Sequence, residues 1–288
     1  MLRDVTFGQY YLANSFVHKM DARVKLLLTL LFMVGIFFVQ SFAGFLWITL
    51  FLAIAIGCSH VPLRSILRSI KGIIVLLVLT AILNVLFVKS STEEPLWSWW
   101  KIEIYTEGLI FAAKILIRLV YLVMGTSLLT LTTTPVDLTH ALESILKPLR
   151  VIKFPVHELA LIMSLTLSFI PSLIEETDRI IRAQKARGAN FDTGNLIKRA
   201  KAFVPILIPL LVGGFRRAEE LANAMNSRCY EGSTKRTQMR VMKLSWRDGL
   251  AAIVTVVFFA AIFVLFAMKS QWTALDGTWG EVMKWIYF

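Results

Sequence analysis

The 288-residue chain is 57% hydrophobic and 17% charged, and its 31 lysines and arginines against 19 acids give a formal net charge of +12. A mean hydropathy of +0.68 lies above the range of a soluble domain of this length, so apolar content decides the class. The two cysteines, Cys58 and Cys229, supply neither a disulfide framework nor metal-ligand spacing, and the alternating segments of about ten residues that mark a transmembrane β-barrel are missing.

The sequence therefore reads as an all-α integral membrane protein, with transmembrane helices and long amphipathic cytoplasmic helices. A basic balance has an ordinary origin in such a chain, because Lys and Arg accumulate in cytoplasmic loops. A lipid bilayer is the expected neighbour, although a charge of this sign also suits nucleic acid. Polar residues run through Lys25 before the first apolar segment, and no small-residue cleavage site follows. Lys25 onward thus reads as a retained first span, not as a signal peptide.

The first span is expected from Lys25 to Val39 and the second from Phe42 to Cys58, joined through Gln40 to Phe42 as a helical hairpin. Ser59 to Lys71 carries Arg64, Arg68 and Lys71, which places it inside. A third span, Gly72 to Val88, leads into the loop Lys89 to Glu107, where Glu93, Glu94, Glu103 and Glu107 face Lys89 and Lys101. That loop also holds Trp97, Trp99, Trp100 and Tyr105, a composition suited to the outer interface. The fourth span, Gly108 to Leu131, contains Lys114 and Arg118, four apart and so on one helix face. A charge at the centre of a span costs about 2.5–3.5 kcal/mol. Both are expected to face protein, in an interior ion pair or along a polar pathway.

After Thr132-Thr133-Thr134-Pro135 the character changes, and Pro135 with Asp137 marks a helix start. Leu159 to Ile174 and Phe203 to Phe215 are apolar but interrupted by Pro171, Pro205 and Pro209, and neither is counted as a complete crossing. Each leads into a charged helix, Glu175 to Arg187 and Arg216 to Arg228. A last span, Gly249 to Met268, precedes a mostly apolar, aromatic tail from Gln271 to Phe288. Three regions follow: transmembrane helices over 1–134, a charged cytoplasmic region over 135–248, and a final transmembrane helix with its tail over 249–288. Positive-inside orientation puts the amino terminus, Ser59 to Lys71 and the charged middle in the cytoplasm.

The two charged helices share one design. The first ends Ala183-Gln184-Lys185-Ala186-Arg187-Gly188 and the second Ala224-Met225-Asn226-Ser227-Arg228-Cys229, so each closes on an arginine between small residues. Ala218, Leu221, Ala222 and Met225 fall at helical spacing and make one apolar face, flanked by Arg216, Arg217, Glu219 and Glu220. Gly188 suits the left-handed conformation that ends a helix. Small neighbours would leave each guanidinium exposed as a rigid fork of donors for a partner's carboxylates or carbonyls. The plainer reading is a cation complementing the helix dipole, worth a few tenths to about 1 kcal/mol.

Phe169-Ile170-Pro171, Glu175-Glu176, Ala183 to Gly188 and Ala224-Met225-Asn226-Ser227-Arg228-Cys229-Tyr230 resemble the transmembrane component T of energy-coupling factor transporters. The stretch from Ser15 to Lys25 looks like that family's approach to its first span, and the resemblance covers nearly the whole chain. One departure is Ser227-Arg228-Cys229, where the family often has Ala-Arg-Gly; the small-Arg-small character survives. The resemblance implies a scaffold without catalysis or cofactor of its own, in a bacterial plasma membrane. In this family long coupling helices dock two arginine triplets into grooves on two ATP-binding cassette subunits. The apolar side holds a membrane-embedded substrate-binding S component that captures a vitamin or metal ion. By the match of motifs the docking residues are Ala186, Arg187, Gly188, Ser227, Arg228 and Cys229.

The residues themselves support part of this. No phosphate loop of the G-x-x-x-x-G-K-[ST] type occurs, since Gly188 and Gly194 lack the spacing and a following Lys; ATP, if used, binds elsewhere. Met163, Met225, Met239 and Met242 are candidates for a surface that repacks, although simple core packing is the expected role for any one of them. A membrane enzyme is disfavoured because His18, His60, His140 and His157 are scattered, and the acids bracketing His140, Asp137 and Glu143, read as capping and solvation at a helix start. A self-sufficient secondary transporter would line a midplane site with Lys114, Arg118 and the broken helices. The two halves show no matching hydropathy, which weighs against that reading.

Overall fold

The computed structural model describes residues 10–11, 13–39, 42–87, 97–99, 102–189, 196–230 and 244–272. In chain order the elements are α1 (Ala22–Phe37), α2 (Phe42–Ser59), α3 (Leu63–Lys71), α4 (Ile74–Phe87), β1 (Trp97–Trp99), β2 (Ile102–Ile104), α5 (Thr106–Thr132), α6 (Pro135–Leu146), a 3-10 turn (Lys147–Ile152), α7 (Val156–Ala186), α8 (Leu196–Ser227) and α9 (Trp246–Trp272). The helical membrane-protein class expected from composition is what the chain adopts. One antiparallel ribbon interrupts it, pairing Trp97 with Ile104 and Trp99 with Ile102. The described residues form two compact units, one within Gly8–Thr134 and Met242–Phe288, the other within Pro135–Val241.

In the first unit the core lies where α1, α2 and α9 meet, around Phe32, Ile36, Phe45, Ile48, Leu52 and Ile262. Tyr121 and Leu122 of α5 pack against it. The Phe51 and Phe258 rings sit 4.8 Å apart, an aromatic contact worth about 0.5–1.5 kcal/mol beyond its buried area. Gly35 lies close to this contact: a methyl on it would collide with the Phe259 ring unless that ring moved. Small residues at helix contacts are how helices approach closely where lipid offers no hydrophobic drive.

Buried polar groups fix the ends of these helices. Asp21 caps α1 by accepting from the Arg23 N–H at 3.0 Å. The Asp21 N–H in turn donates to Oδ1 of Asp248 at 2.8 Å, while Oδ2 of Asp248 accepts from the Ser245 N–H at 2.6 Å. Ser245-Trp246-Arg247-Asp248 is thus the return half of a capping box, and the same carboxylate ties α9 to the start of α1. Lys25, also buried, donates to the Thr132 carbonyl at 2.9 Å and holds the end of α5. His18 precedes the first helix; its Nε2 donates to the Tyr11 carbonyl at 2.9 Å and its Nδ1 accepts from the Ser15 hydroxyl at 2.7 Å. Burial, reinforced by the charge of Lys25, holds the imidazole below its ordinary pKa of 6.5 against the opposing pull of the Tyr11 carbonyl.

Several expectations change. The third span, however, keeps its expected start, because α3 and α4 are bent by 58° at the Gly72-Ile73 break and α4 lies within Gly72 to Val88. At 16 and 14 residues, α1 and α4 are about 24 and 21 Å long, short of a hydrocarbon core of about 30 Å. Among the described residues, two helices are long and apolar enough to cross, Gly108–Thr132 and Val156–Ala186, with a third if the bent pair is one span. The second contains Leu159 to Ile174, and its length and composition alone would allow a crossing there. Pro171, Pro205 and Pro209 also do not interrupt their segments; they lie inside continuous helices of 31 and 32 residues. A proline deletes one ladder bond, at about 3 kcal/mol, and neighbouring turns that stay hydrogen-bonded absorb it.

Among the described residues Arg118 forms no ion pair, the first of the two expectations for it. Its Nη2 donates to the Val39 carbonyl at 2.7 Å and its guanidinium lies 5.9 Å from the Phe37 ring, so it closes the end of α1. The Gln40-Ser41 part of the hairpin link, Glu93, Glu94, Lys89, Trp100 and Lys101 of the acidic loop, and 273–288 of the tail lie outside the described residues.

Two outcomes follow in detergent or nanodiscs. Asp248→Ala leaves the Asp21 and Ser245 N–H groups without an acceptor and should destabilise the first unit by about 2 kcal/mol or more, measured as denaturant unfolding. Because the folded state prefers neutral His18, the unfolded state binds the extra proton as pH falls below 6.5. Stability should therefore decline from pH 7 toward pH 5 and level off below the folded pKa. His18→Gln should flatten that slope; an unchanged pH profile would show that His18 is not the group responsible.

Candidate functional site

The second unit carries the two arginine motifs, and α7 and α8 stop in the same way. In α7 the last helical residue is Ala186, Arg187 is the C-cap at φ −84° and ψ 7°, and Gly188 follows at φ +86°. The Gly188 N–H donates to the Lys185 carbonyl at 3.0 Å and the Ala189 N–H to the Gln184 carbonyl at 3.0 Å. In α8 the last helical residue is Ser227, Arg228 takes the capping position, and Cys229 follows at φ +54°. The Cys229 N–H donates to the Asn226 carbonyl at 2.9 Å and the Tyr230 N–H to the Met225 carbonyl at 3.1 Å. Both are Schellman stops, in which a left-handed residue turns the chain so that carbonyls left over at the helix end are satisfied.

This geometry brings each small-Arg-small triplet to a helix tip. Ala186, Arg187, Gly188, Ser227, Arg228 and Cys229 are all exposed. Each guanidinium stands at the negative end of a helix dipole, which stabilises it by a few tenths to about 1 kcal/mol and leaves its donor fork open. The apolar face expected over Ala218, Leu221, Ala222 and Met225 stays open too: Leu221 and Met225 are half-buried, and both alanines are exposed. Met163 is 37% exposed on α7, while Met239 and Met242 lie outside the described residues.

Two features were not legible from the motifs. Glu176 of α7 and Arg217 of α8 pair at 3.0 Å, each about 30% exposed, and the Arg217 guanidinium lies 5.8 Å from the Phe169 ring. A pair this open contributes at most about 1 kcal/mol, so its interest is geometric. The second is Glu143, which is buried and does not cap at the surface as expected. It sits 3.2 Å from Nδ1 of His157 and 3.8 Å from Nδ1 of His140, joining α6 to α7. Among the described residues no group of three or more His, Cys, Asp or Glu is arranged to hold a metal ion.

The two stops differ in strain. No atom lies within 4 Å of where a Cβ on Gly188 would stand, so its substitution is penalised by conformation alone. Gly188→Ala should cost about 1 kcal/mol, while Cys229→Gly, which relieves a left-handed non-glycine, should be neutral or stabilising by up to about 1 kcal/mol. Denaturant unfolding of the two variants checks this; the opposite order would contradict the assigned stops.

Comparison with known proteins gives the chain a family. The model of the cobalt transport protein family, CbiQ, matches residues 13–239. The energy-coupling factor transporter transmembrane protein EcfT of Ruminiclostridium cellulolyticum is 46% identical over 265 residues, covering 92% of this chain and 98% of that protein. The protein of the same name from Clostridium kluyveri is 48% identical over 257 residues, with 89% and 95% covered. That from Lactococcus lactis is 39% identical over 269 residues, with 93% and 100% covered. The match over most of the length, together with these identities, shows that the chain belongs to the EcfT/CbiQ family of energy-coupling factor transporter transmembrane components.

Proposed function

We propose that this chain is the coupling scaffold of an energy-coupling factor importer, carrying motion from two cytoplasmic ABC ATPase subunits to a membrane-embedded S component that binds a vitamin or other micronutrient. The matched tips carry this reading. Two exposed arginines, each at a helix C-cap and each followed by a left-handed residue, form two equivalent plugs, as two related ATPase grooves require. Exposed arginine is the side chain best suited to such a groove, because its planar fork fixes direction as well as charge.

In this account the chain performs no catalysis. ATP is bound and hydrolysed by the partners, and the sequence contains no phosphate loop. The tips face the cytoplasm of a bacterial cell, the amino terminus lies on the same side, and the chain crosses the plasma membrane several times, in line with the basic character of its loops. The exposed apolar residues of α8, Leu207, Ile208, Leu211 and Phe215, offer the S component or lipid a surface that does not overlap the tips. Because specificity resides in the S component, the substrate is a property of that partner.

Arg187→Glu with Arg228→Glu should lower co-purification of the ATPase subunits at least tenfold, as expected for charge reversal at a docked arginine, while membrane insertion is unchanged. A complex of normal composition with normal uptake from the double variant would contradict the docking assignment.

A further inference from the structure

We propose that the Glu176–Arg217 pair is a positioning device, the crossing point that holds the arginine tips of α7 and α8 at one separation so that they move together. The inference rests on the docking role assigned to Arg187 and Arg228 but uses different residues. Its first support is position. Glu176 stands eleven residues before Arg187, and Arg217 stands eleven residues before Arg228. Each tip is therefore about 16 Å of helix away from the pair, and the two arms that run from the pair to the tips are equal in length.

The second support is the way the pair is seated. Nη2 of Arg217 donates to Oε2 of Glu176 at 3.0 Å, and the Phe169 ring lies against the same guanidinium at 5.8 Å. A methyl on Gly213 would fall 2.7 Å from Oε1 of Glu176. Gly213 lies one turn before Arg217, so the space it leaves is the seat of the carboxylate. Carboxylate, ring and glycine fix the guanidinium in direction as well as position, which a lysine ammonium would not require.

The third support is that this link has no substitute. Nothing else among the described ion pairs links α7 to α8.

Pulsed electron spin resonance on the full chain in nanodiscs tests this, with Cys58 and Cys229 replaced by serine and nitroxides at positions 182 and 223. Arg182 and Asn223 are exposed and each stands five residues before its tip arginine. The parent chain should give one narrow distance distribution. Glu176→Gln should widen it at least twofold, and so should Gly213→Leu, which keeps both charges but fills the seat. An unchanged width in both single variants would overturn the proposal. The measurement contains no ATPase, so its result is independent of whether the tip arginines dock. In the assembled complex, Glu176→Gln should retain the ATPases at wild-type level but lose the ATP-dependent shift of the 182–223 distance; a wild-type shift would also overturn the proposal.

Discussion

A helix stops only where the chain can turn away and satisfy its last carbonyls, and in α7 and α8 that condition is met by one left-handed residue each. The placement of both tip arginines depends on those two turns. Move the left-handed residue one position along and the arginine before it rotates by about 100° around the helix axis, away from its present direction. Gly188 takes the turn at no steric cost, whereas Cys229 takes it at φ +54° and so stores strain of about 1 kcal/mol. The second stop keeps the same hydrogen bonds as the first, two carbonyls satisfied by the two residues after the cap. A single geometry at both ends, reached through different residues, is hard to explain by dipole complementarity alone, since a cation anywhere in the last turn would serve that purpose.

The first unit solves a different problem, which is to place polar groups among apolar helices. Its buried side chains act mostly on backbone. Asp248 accepts two N–H groups, Lys25 donates to the Thr132 carbonyl, and Arg118 donates to the Val39 carbonyl. Each contact closes a helix end or ties one helix to another. This accounts for a half-buried arginine in the middle of α5 without a transport pathway: a carbonyl at a helix terminus is an unsatisfied acceptor, and the long arginine side chain reaches it. Sequence positions far apart, such as 21 and 248, are thereby held together by one carboxylate.

Much of the architecture was legible in the sequence, for identifiable reasons. Apolar runs bounded by charge gave the cores of α1, α2, α5 and α9, and Pro135 with Asp137 gave the start of α6, where the helix begins at Pro135. Gly188 announced its left-handed turn through its residue type. Cys229 did not, because only its place in a repeated pattern marks it. The prolines misled because an isolated Pro reads as a break, yet 31 and 32 residues of helix carry it. Glu143 misled because burial is a tertiary property that periodicity over a short helix does not reveal. Glu176 and Arg217 were visible as charges in charged helices, and the signal that would have joined them is their equal distance from the two tip arginines.

The account as a whole makes a scaffold of the chain: a first unit fixed by caps and aromatic contacts, and a second unit whose long helices present equivalent arginines. Its central claim is that those tips are where the ATPases sit. Photo-crosslinking in living cells addresses this most directly, with benzoylphenylalanine in place of Ala186 or Ser227, the exposed residues just before each arginine. The account predicts covalent adducts to ABC ATPase subunits from both positions. Adducts to lipid or to other proteins, with no ATPase captured from either position, would contradict it.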